Sequence, residues 1–472
     1  MQNLRIAILA AFPAFLAAQP YDVVVHGGRV LDPESGLDGI RSVAITGRKI
    51  AAISEGRLRG KIEIDAAGLV VSPGFIDLHS HGQTPENYHL KAMDGVTTAL
   101  ELEIGVSPVG EWYALRAGKS LIHYGASSGH LPARMAVMKD TGVLVPRDTA
   151  MNRLASADEQ KAILAAVEKG LDEGALGMGL GLTYTPTATA TEVLDLFYLM
   201  GKWKRPVFVH VRSTAITSPG IIESLQEMIA DAAISGAPLH IVHINSSALR
   251  RTAEALRMIE SARARGLDIT TEAYPYIAGA TALESAQFEP GWQERKGLTY
   301  SDLMWAATGE RLTAESFAHY RKQGGLVILF SNTEEMVHKA VLHPLSMIAS
   351  DGIMENGKGH PRAAGTYALI LGRYVREEKS LSLMDAIRKC SLMPAQRLEA
   401  MSPQMRQKGR LKPGADADIA VFDPARVIDR STYQQPAQYS EGFRYVLVEG
   451  TMVVRNGKLQ EGVLPGQGIR AR

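Results

Sequence analysis

The sequence has little of what would place it in a special class. Cys390 is the only cysteine in 472 residues, so no intramolecular disulfide can form. It falls in an amphipathic helical pattern from residue 384 to 398 and reads as core packing. No sign of charge dominates, since 51 basic residues meet 50 acidic ones. That balance argues against nucleic acid or an anionic membrane as the main partner. Beyond the first residues no apolar run is long enough to cross a bilayer, so no integral span is expected. Internal repeats and low-complexity tracts are absent as well.

What remains is an ordinary globular composition, 46% apolar and 21% charged. The length suits one large domain plus a smaller one. Residues 1–18 have signal-peptide character: Arg5, an apolar run from Ile6 to Phe12, Pro13, then small residues ending Ala17-Ala18. Cleavage before Gln19 and a secreted or periplasmic protein are the expectation. Residues 19–72 carry short β runs around Val24, Val43 and Ile62, separated by glycine turns, and residues 409–472 have the same character around Val421, Val446 and Val453. Neither end has a core of its own. The two are expected to pair into one small β-sandwich, with residues 73–408 inserted between its halves.

The insert alternates β runs with helical patterns. Strands are expected near residues 75–78, 97–102, 175–182, 207–211, 239–244, 268–273, 326–330 and 346–349. Helices are expected near 157–173, 218–234 and 252–265. This alternation predicts an α/β fold with a parallel sheet, best closed as a TIM (β/α)8 barrel. Residues 284–322 break the alternation and read as an excursion over the barrel mouth, a candidate lid.

Chemistry-bearing residues recur at the C-terminal ends of these strands, where a parallel barrel builds its sites. Ser72-Pro73-Gly74-Phe75-Ile76-Asp77-Leu78-His79-Ser80-His81-Gly82 is the richest stretch. Strand alternation sends Asp77, His79 and His81 to one side, with Asp77 placed to hold an imidazole. Glu101 and Glu103 end the next run, with Glu103 nearer the mouth. His210, His243 and Asp351 end three later ones. Imidazoles plus carboxylates suit zinc or another divalent ion, one or two in number. A glutamate between two such sites would bridge them, and Glu103 is the first choice, Glu101 the second. Asp351 would take and return the proton of an attacking water. Amide, lactam or ester cleavage and deamination all fit that chemistry. A non-catalytic binding protein is the alternative of another class, and the intact set of His and Asp residues weighs against it. Of the other histidines, His240 reads as structural, and His319, His338 and His343 as surface or helix positions.

These residues resemble the amidohydrolase superfamily, and within it the N-acyl-D-amino-acid deacylase (D-aminoacylase) branch. The likeness rests on residues 73–81, Asp94-Gly95-Val96-Thr97-Thr98, residues 174–184, Tyr274-Pro275-Tyr276, Ser350-Asp351-Gly352, His360-Pro361-Arg362 and residues 409–419. It implies His79 and His81 as ligands of one metal, His210 and His243 of the other, and Asp351 as acid/base. It implies a small-molecule amide, an N-acyl-amino acid or dipeptide-like compound, as substrate. Tyr184, Tyr276, Arg362, His360 and His130 would then face the substrate or support those that do. A homo-oligomer is compatible with it. Two departures stand out. The branch places a bridging cysteine shortly after Gly-Val-Thr-Thr, where this chain has Glu103. It also tends to carry a lysine where this chain has Asn245, which leaves Arg212 or Arg362 to meet a substrate carboxylate.

Overall fold

The computed structural model describes residues 20–472; the signal-like segment at residues 1–18 lies outside them. The chain begins with β1 (Tyr21–Asp32), β2 (Leu37–Thr46), β3 (Lys49–Ser54), β4 (Gly60–Asp65) and β5 (Val70–Pro73). Val23 and Val25 of β1 meet Val43 and Ile45 of β2 and Ile64 of β4 in one apolar cluster. β1 pairs antiparallel with β2 and parallel with β4 and β5.

Pro73 and Gly74 turn the chain into the barrel. Its strands are β6 (Phe75–Asp77), β7 (Val96–Val106), β8 (His123–Gly129), β9 (Met178–Gly181), β10 (Val207–His210), β11 (Leu239–Ile241) and β12 (Ile269–Ala273), all parallel and in sequential order. Buried strands of this kind read as apolar runs because both faces are covered. On β10, Val207 and Val209 pack outward with Phe197 and Met228 of the surrounding helices. Phe208 and His210 take the opposite, axial face. The helices between strands are delimited by local chemistry. Ser156 accepts from the Glu159 amide at the start of Ala157–Asp172, and Glu159 returns the bond to the Ser156 amide.

After β12 the chain leaves the barrel. β13 (Gly279–Ala282), β14 (Leu303–Trp305) and β15 (Leu326–Leu329) form a separate three-stranded antiparallel sheet. It has its own core, with Phe288, Trp292, Trp305 and Phe317 among its members. The run at 326–330 is thus a strand, but not of the barrel. The strand that completes the eight is instead β8, between β7 and β9, whose sequence His123-Tyr124-Gly125-Ala126-Ser127-Ser128-Gly129 lacks the branched residues that mark a strand. The excursion accordingly reaches beyond 284–322 on both sides.

β16 (Ser346–Ile348) is the eighth barrel strand and pairs with β12. Its seam with β6 is closed just past the strand ends, where the Asp351 amide donates to the His79 carbonyl at 2.7 Å and the His81 amide to the Gly352 carbonyl at 3.1 Å. A short hairpin, β17 (Met354–Glu355) and β18 (Lys358–Gly359), follows. The chain returns through helices to β19 (Ile419–Phe422), β20 (Phe443–Val448), β21 (Thr451–Arg455) and β22 (Lys458–Leu459). β19 pairs antiparallel with β5, so strands from both ends of the chain share one nine-stranded sheet. Ile419, Val421 and Leu447 join the apolar cluster that β1 and β2 began.

Candidate active site

Four imidazoles and two carboxylates converge at the barrel mouth. Glu103 lies between two pairs of histidines. Its Oε2 is 3.0 Å from Nε2 of both His79 and His81, and its Oε1 is 2.7 Å from His210 Nδ1 and 3.4 Å from His243 Nε2. Asp351 Oδ1 lies 3.3 Å from both Nε2 atoms of the first pair. The donor atoms of His79, His81, Glu103 and Asp351 fall within 4.8 Å of one another, as do those of Glu103, His210 and His243. All but the half-buried His81 are buried.

A second layer aims the rings. His79 Nδ1 donates to Glu272 Oε1 at 2.5 Å, His81 Nδ1 to Glu101 Oε2 at 2.8 Å, and His243 Nδ1 contacts Ser247 Oγ at 3.0 Å. With Nδ1 engaged, Nε2 of each ring is left as the lone-pair atom facing inward. This orders the two glutamates of β7: Glu103 sits among the inward-facing nitrogens, and Glu101 supports His81 from behind. Glu272 is the residue that sequence reasoning missed. It also contacts His240 Nε2 at 3.1 Å, while His240 Nδ1 meets Thr270 Oγ1 at 2.7 Å. His240 is thus a fully paired support. Asp77 does not hold an imidazole. It binds Lys91 Nζ at 2.7 Å and the Ser350 amide and hydroxyl at 3.0 and 2.6 Å, clasping the barrel seam.

The donor set fits a divalent cation. His79 Nε2 and His81 Nε2 face each other at 3.1 Å, and so do His210 Nδ1 and His243 Nε2. Two neutral imidazole lone pairs at that separation repel unless a positive charge sits with them. The field supplies the same pull. Burial drives the His79 pKa down, but Asp351, Glu272 and Glu103 outweigh it and carry it up to about 10. His81 is raised in the same way, chiefly by Glu101 acting against burial. Burial raises the Asp351 carboxyl, yet the Arg362 guanidinium and the histidines hold it well below the ordinary range. His210 goes the other way, down to about 4, through burial and the neighbouring His243, and so is a neutral donor. Two site residues also hold left-handed backbone: His243 at φ 31° and Asp351 at φ 53°. Such conformations in residues other than glycine cost about 1–2 kcal/mol each and gather at functional sites.

A cavity opens onto these groups. Its lining combines polar groups, among them Tyr184, Tyr274, Asp351 and Arg362, with apolar ones, among them Leu144, Leu249, Leu298 and Leu329. Arg362 Nη1 binds Asp351 Oδ2 at 2.9 Å, and its guanidinium lies over the Tyr274 ring at 4.6 Å. Tyr184 and Arg362 therefore sit where a substrate contact was expected. The other three residues named with them lie outside the cavity lining. Tyr276 is outside the cavity lining, its hydroxyl buried near Gly365 and its ring against His360. His360 faces the backbone, its Nε2 donating to the Ala278 carbonyl at 3.0 Å and its Nδ1 accepting from the Arg362 amide at 3.0 Å. It thereby sets the start of the helix that carries Arg362. His130 is buried against Glu192 at 2.9 Å, away from the cavity. Asn245 is also turned away: it brackets Tyr274, donating to its carbonyl at 3.2 Å and accepting from its amide at 3.4 Å. Arg212 is tied to Glu227 at 2.7 Å.

A parallel barrel whose strand ends gather imidazoles and carboxylates around a cavity is the arrangement of a metal-dependent hydrolase. The chain belongs to the amidohydrolase family, which it matches over residues 63–118 and 157–454. It is 28% identical to a D-aminoacylase of Alcaligenes xylosoxydans xylosoxydans over 493 aligned residues, covering 92% of this chain and 95% of that one. It is 27% identical to an N-acyl-D-glutamate deacylase of the same organism over 478, covering 92% and 93%. Among solved structures, the N-acyl-D-glutamate deacylase of Bordetella bronchiseptica, complexed with zinc and a phosphonate mimic of the tetrahedral intermediate, superposes with a TM-score of 0.82 at 26% identity. That match covers 96% of this chain and all of the other. A D-aminoacylase structure gives 0.79 at 25% identity with the same coverage. The chain is a hydrolase of this family, similar to N-acyl-D-amino-acid deacylases.

Proposed function

We propose that this protein hydrolyses the amide bond of N-acyl amino acids, with the D series preferred. The observation that carries the reading is Glu103 set between two histidine pairs beside Asp351, lining a cavity with both polar and apolar residues. The likeness to deacylases acting on N-acyl-D-amino acids supports the substrate class. His79, His81, Glu103 and Asp351 would hold one ion, and Glu103, His210 and His243 a second. Zinc suits this mixed nitrogen and oxygen set. When bound, such an ion polarises the carbonyl and brings the pKa of water towards neutrality.

The remaining steps belong to the chain. Arg362 fixes Asp351 through Oδ2 and leaves Oδ1 facing the reaction centre. Held ionised at neutral pH, Asp351 accepts the proton of the attacking water. It then passes that proton to the leaving amine. The Tyr184 hydroxyl accepts from Thr281 Oγ1 at 3.1 Å, so its own proton is free to meet the oxyanion that forms at the carbonyl. Elemental analysis of purified protein, beside hydrolysis of N-acetyl-D- and N-acetyl-L-amino acids, tests the reading. Bound metal with D-selective release of acetate is the expected result. Metal-free protein after reconstitution, or turnover of cyclic amides alone, would sink it.

Export is proposed on the composition of residues 1–18 alone. A mature protein beginning at Gln19 in an extracytoplasmic fraction is expected. Intact Met1 protein confined to the cytosol would end that proposal.

A further inference from the structure

The cavity over Asp351 has a second polar region away from the reaction centre. Lys296 ends the short helix Trp292–Lys296 of the excursion and lines this cavity together with Gln287. Both also line an adjoining cavity, along with Thr214 and Arg212, so they sit where the two spaces meet. Leu144, Leu249, Leu298 and Leu329 line the same cavity as Lys296 and the metal-ligating groups. Among the described residues, two lysine or arginine side chains line the main cavity, Arg362 and Lys296. They differ in one respect. Arg362 is engaged by Asp351, whereas among the described residues Lys296 has no carboxylate partner and its side chain donates to Gln287 Oε1 at 2.7 Å.

We propose that Lys296 is a specificity-determining residue that binds a second carboxylate of the substrate, remote from the scissile amide. Resting on the amide-hydrolase reading of this site, it makes N-acyl amino acids with a second acidic group the favoured substrates. A half-buried ammonium without a counter-charge has lost part of its hydration, and an arriving carboxylate supplies the missing charge. The protein's own arrangement leaves this cost in place. Burial, with Arg295 nearby, pulls the Lys296 pKa down to about 8, so the amine is still mostly protonated at neutral pH. The apolar residues of the cavity would take up methylene groups between the amide and the distal anion. That anion could belong to the amino-acid side chain or to the acyl group, and the two are chemically alike at Lys296.

The test uses the full-length, metal-loaded protein, K296M and K296R. N-acetyl-D-glutamate places the second carboxylate on the amino acid, N-succinyl-D-leucine places it on the acyl chain, and N-acetyl-D-leucine has none. K296M should raise KM about tenfold to a hundredfold for whichever acidic substrate is read. It should leave kcat and KM for N-acetyl-D-leucine within about twofold. K296R should restore most of the loss. Equal effects on acidic and neutral substrates, or no effect on either, would overturn the proposal. A second measurement separates it from the amide-hydrolase reading. Titration with glutarate and butyrate should show a preference for the dicarboxylate that K296M abolishes. If no amide is turned over, that preference alone upholds the binding role of Lys296, and its absence in the wild type refutes it.

Discussion

Glu272 lies in the seventh barrel strand and receives the Nδ1 proton of His79, just past the end of the first, across 2.5 Å. This bond turns His79 Nε2 toward Glu103 and Asp351, so an acidic residue with no place at the metal-ligating surface decides which nitrogen is offered there. Glu272 itself is held ionised, with a pKa of about 2, because His79 and His240 outweigh its burial. Glu272→Gln should therefore weaken metal binding by about 10- to 100-fold. A metal-buffered titration followed by elemental analysis reads the change. Unaltered affinity would mean that the His79 ring is fixed by packing alone.

Glu103→Ala should lose at least about half of the bound metal and essentially all turnover, because one carboxylate serves both histidine pairs. Parallel elemental analysis of wild type and variant checks it. Full metal content in the variant would show that the two pairs do not share Glu103.

Asp351→Asn should retain most of the metal, since His79, His81 and Glu103 remain, while kcat falls by about 10²- to 10⁴-fold. Metal content and kcat are measured on the same preparation. Loss of metal together with activity would make Asp351 chiefly a ligand.

Acid stability should depend on a buried group far from the cavity. Lys408 Nζ binds Asp418 at 2.7 Å and Asp416 at 2.9 Å, and Asp418 also meets His123 at 3.2 Å. Burial raises the Asp418 carboxyl, but Lys408 and then His123 hold it well below its ordinary value. A folded-state pKa below the unfolded one contributes stability above the unfolded value of about 4, and that contribution is lost as pH falls further. Thermal melts should therefore show a midpoint that drops steeply below about pH 4. Asp418→Asn should cost about 1–3 kcal/mol at neutral pH, because Lys408 keeps Asp416 but loses its shorter ion pair, and should flatten the acid slope. A variant with the wild-type slope would place the acid sensitivity elsewhere.

The residues legible in the sequence were those where a polar side chain interrupts a buried apolar run. His79, His81, Glu103, His210, His243 and Asp351 all do so at strand ends, and a parallel barrel brings such ends together whatever the loops do. Glu272 ends the same kind of run, Ile269-Thr270-Thr271-Glu272-Ala273, but its threonines blur the contrast that makes an acid conspicuous. The orientation of Tyr276, His360 and His130, which lie outside the cavity lining, was hidden for a different reason. They lie on loops and at a helix start, where strand alternation does not say which way a side chain points. Sheet membership was similarly hidden. β15 is rich in leucine, isoleucine and valine and looks like a barrel strand, while glycine and serine disguise β8, which is one. Composition records burial and twist, not the partner a strand chooses.

The sheet shared by the two ends of the chain bears on the order of events during synthesis. Lys49 and Asp416 are hydrogen-bonded at 2.6 Å although 367 positions separate them. β5 finds its neighbour β19 only once the whole barrel has been made. Until then the first strands leave the ribosome with an open edge, which invites pairing with another chain. The barrel sets the waiting time for its own smaller companion. Yield on expression should therefore follow the speed of elongation and the availability of chaperones more closely than it follows the stability of the finished fold.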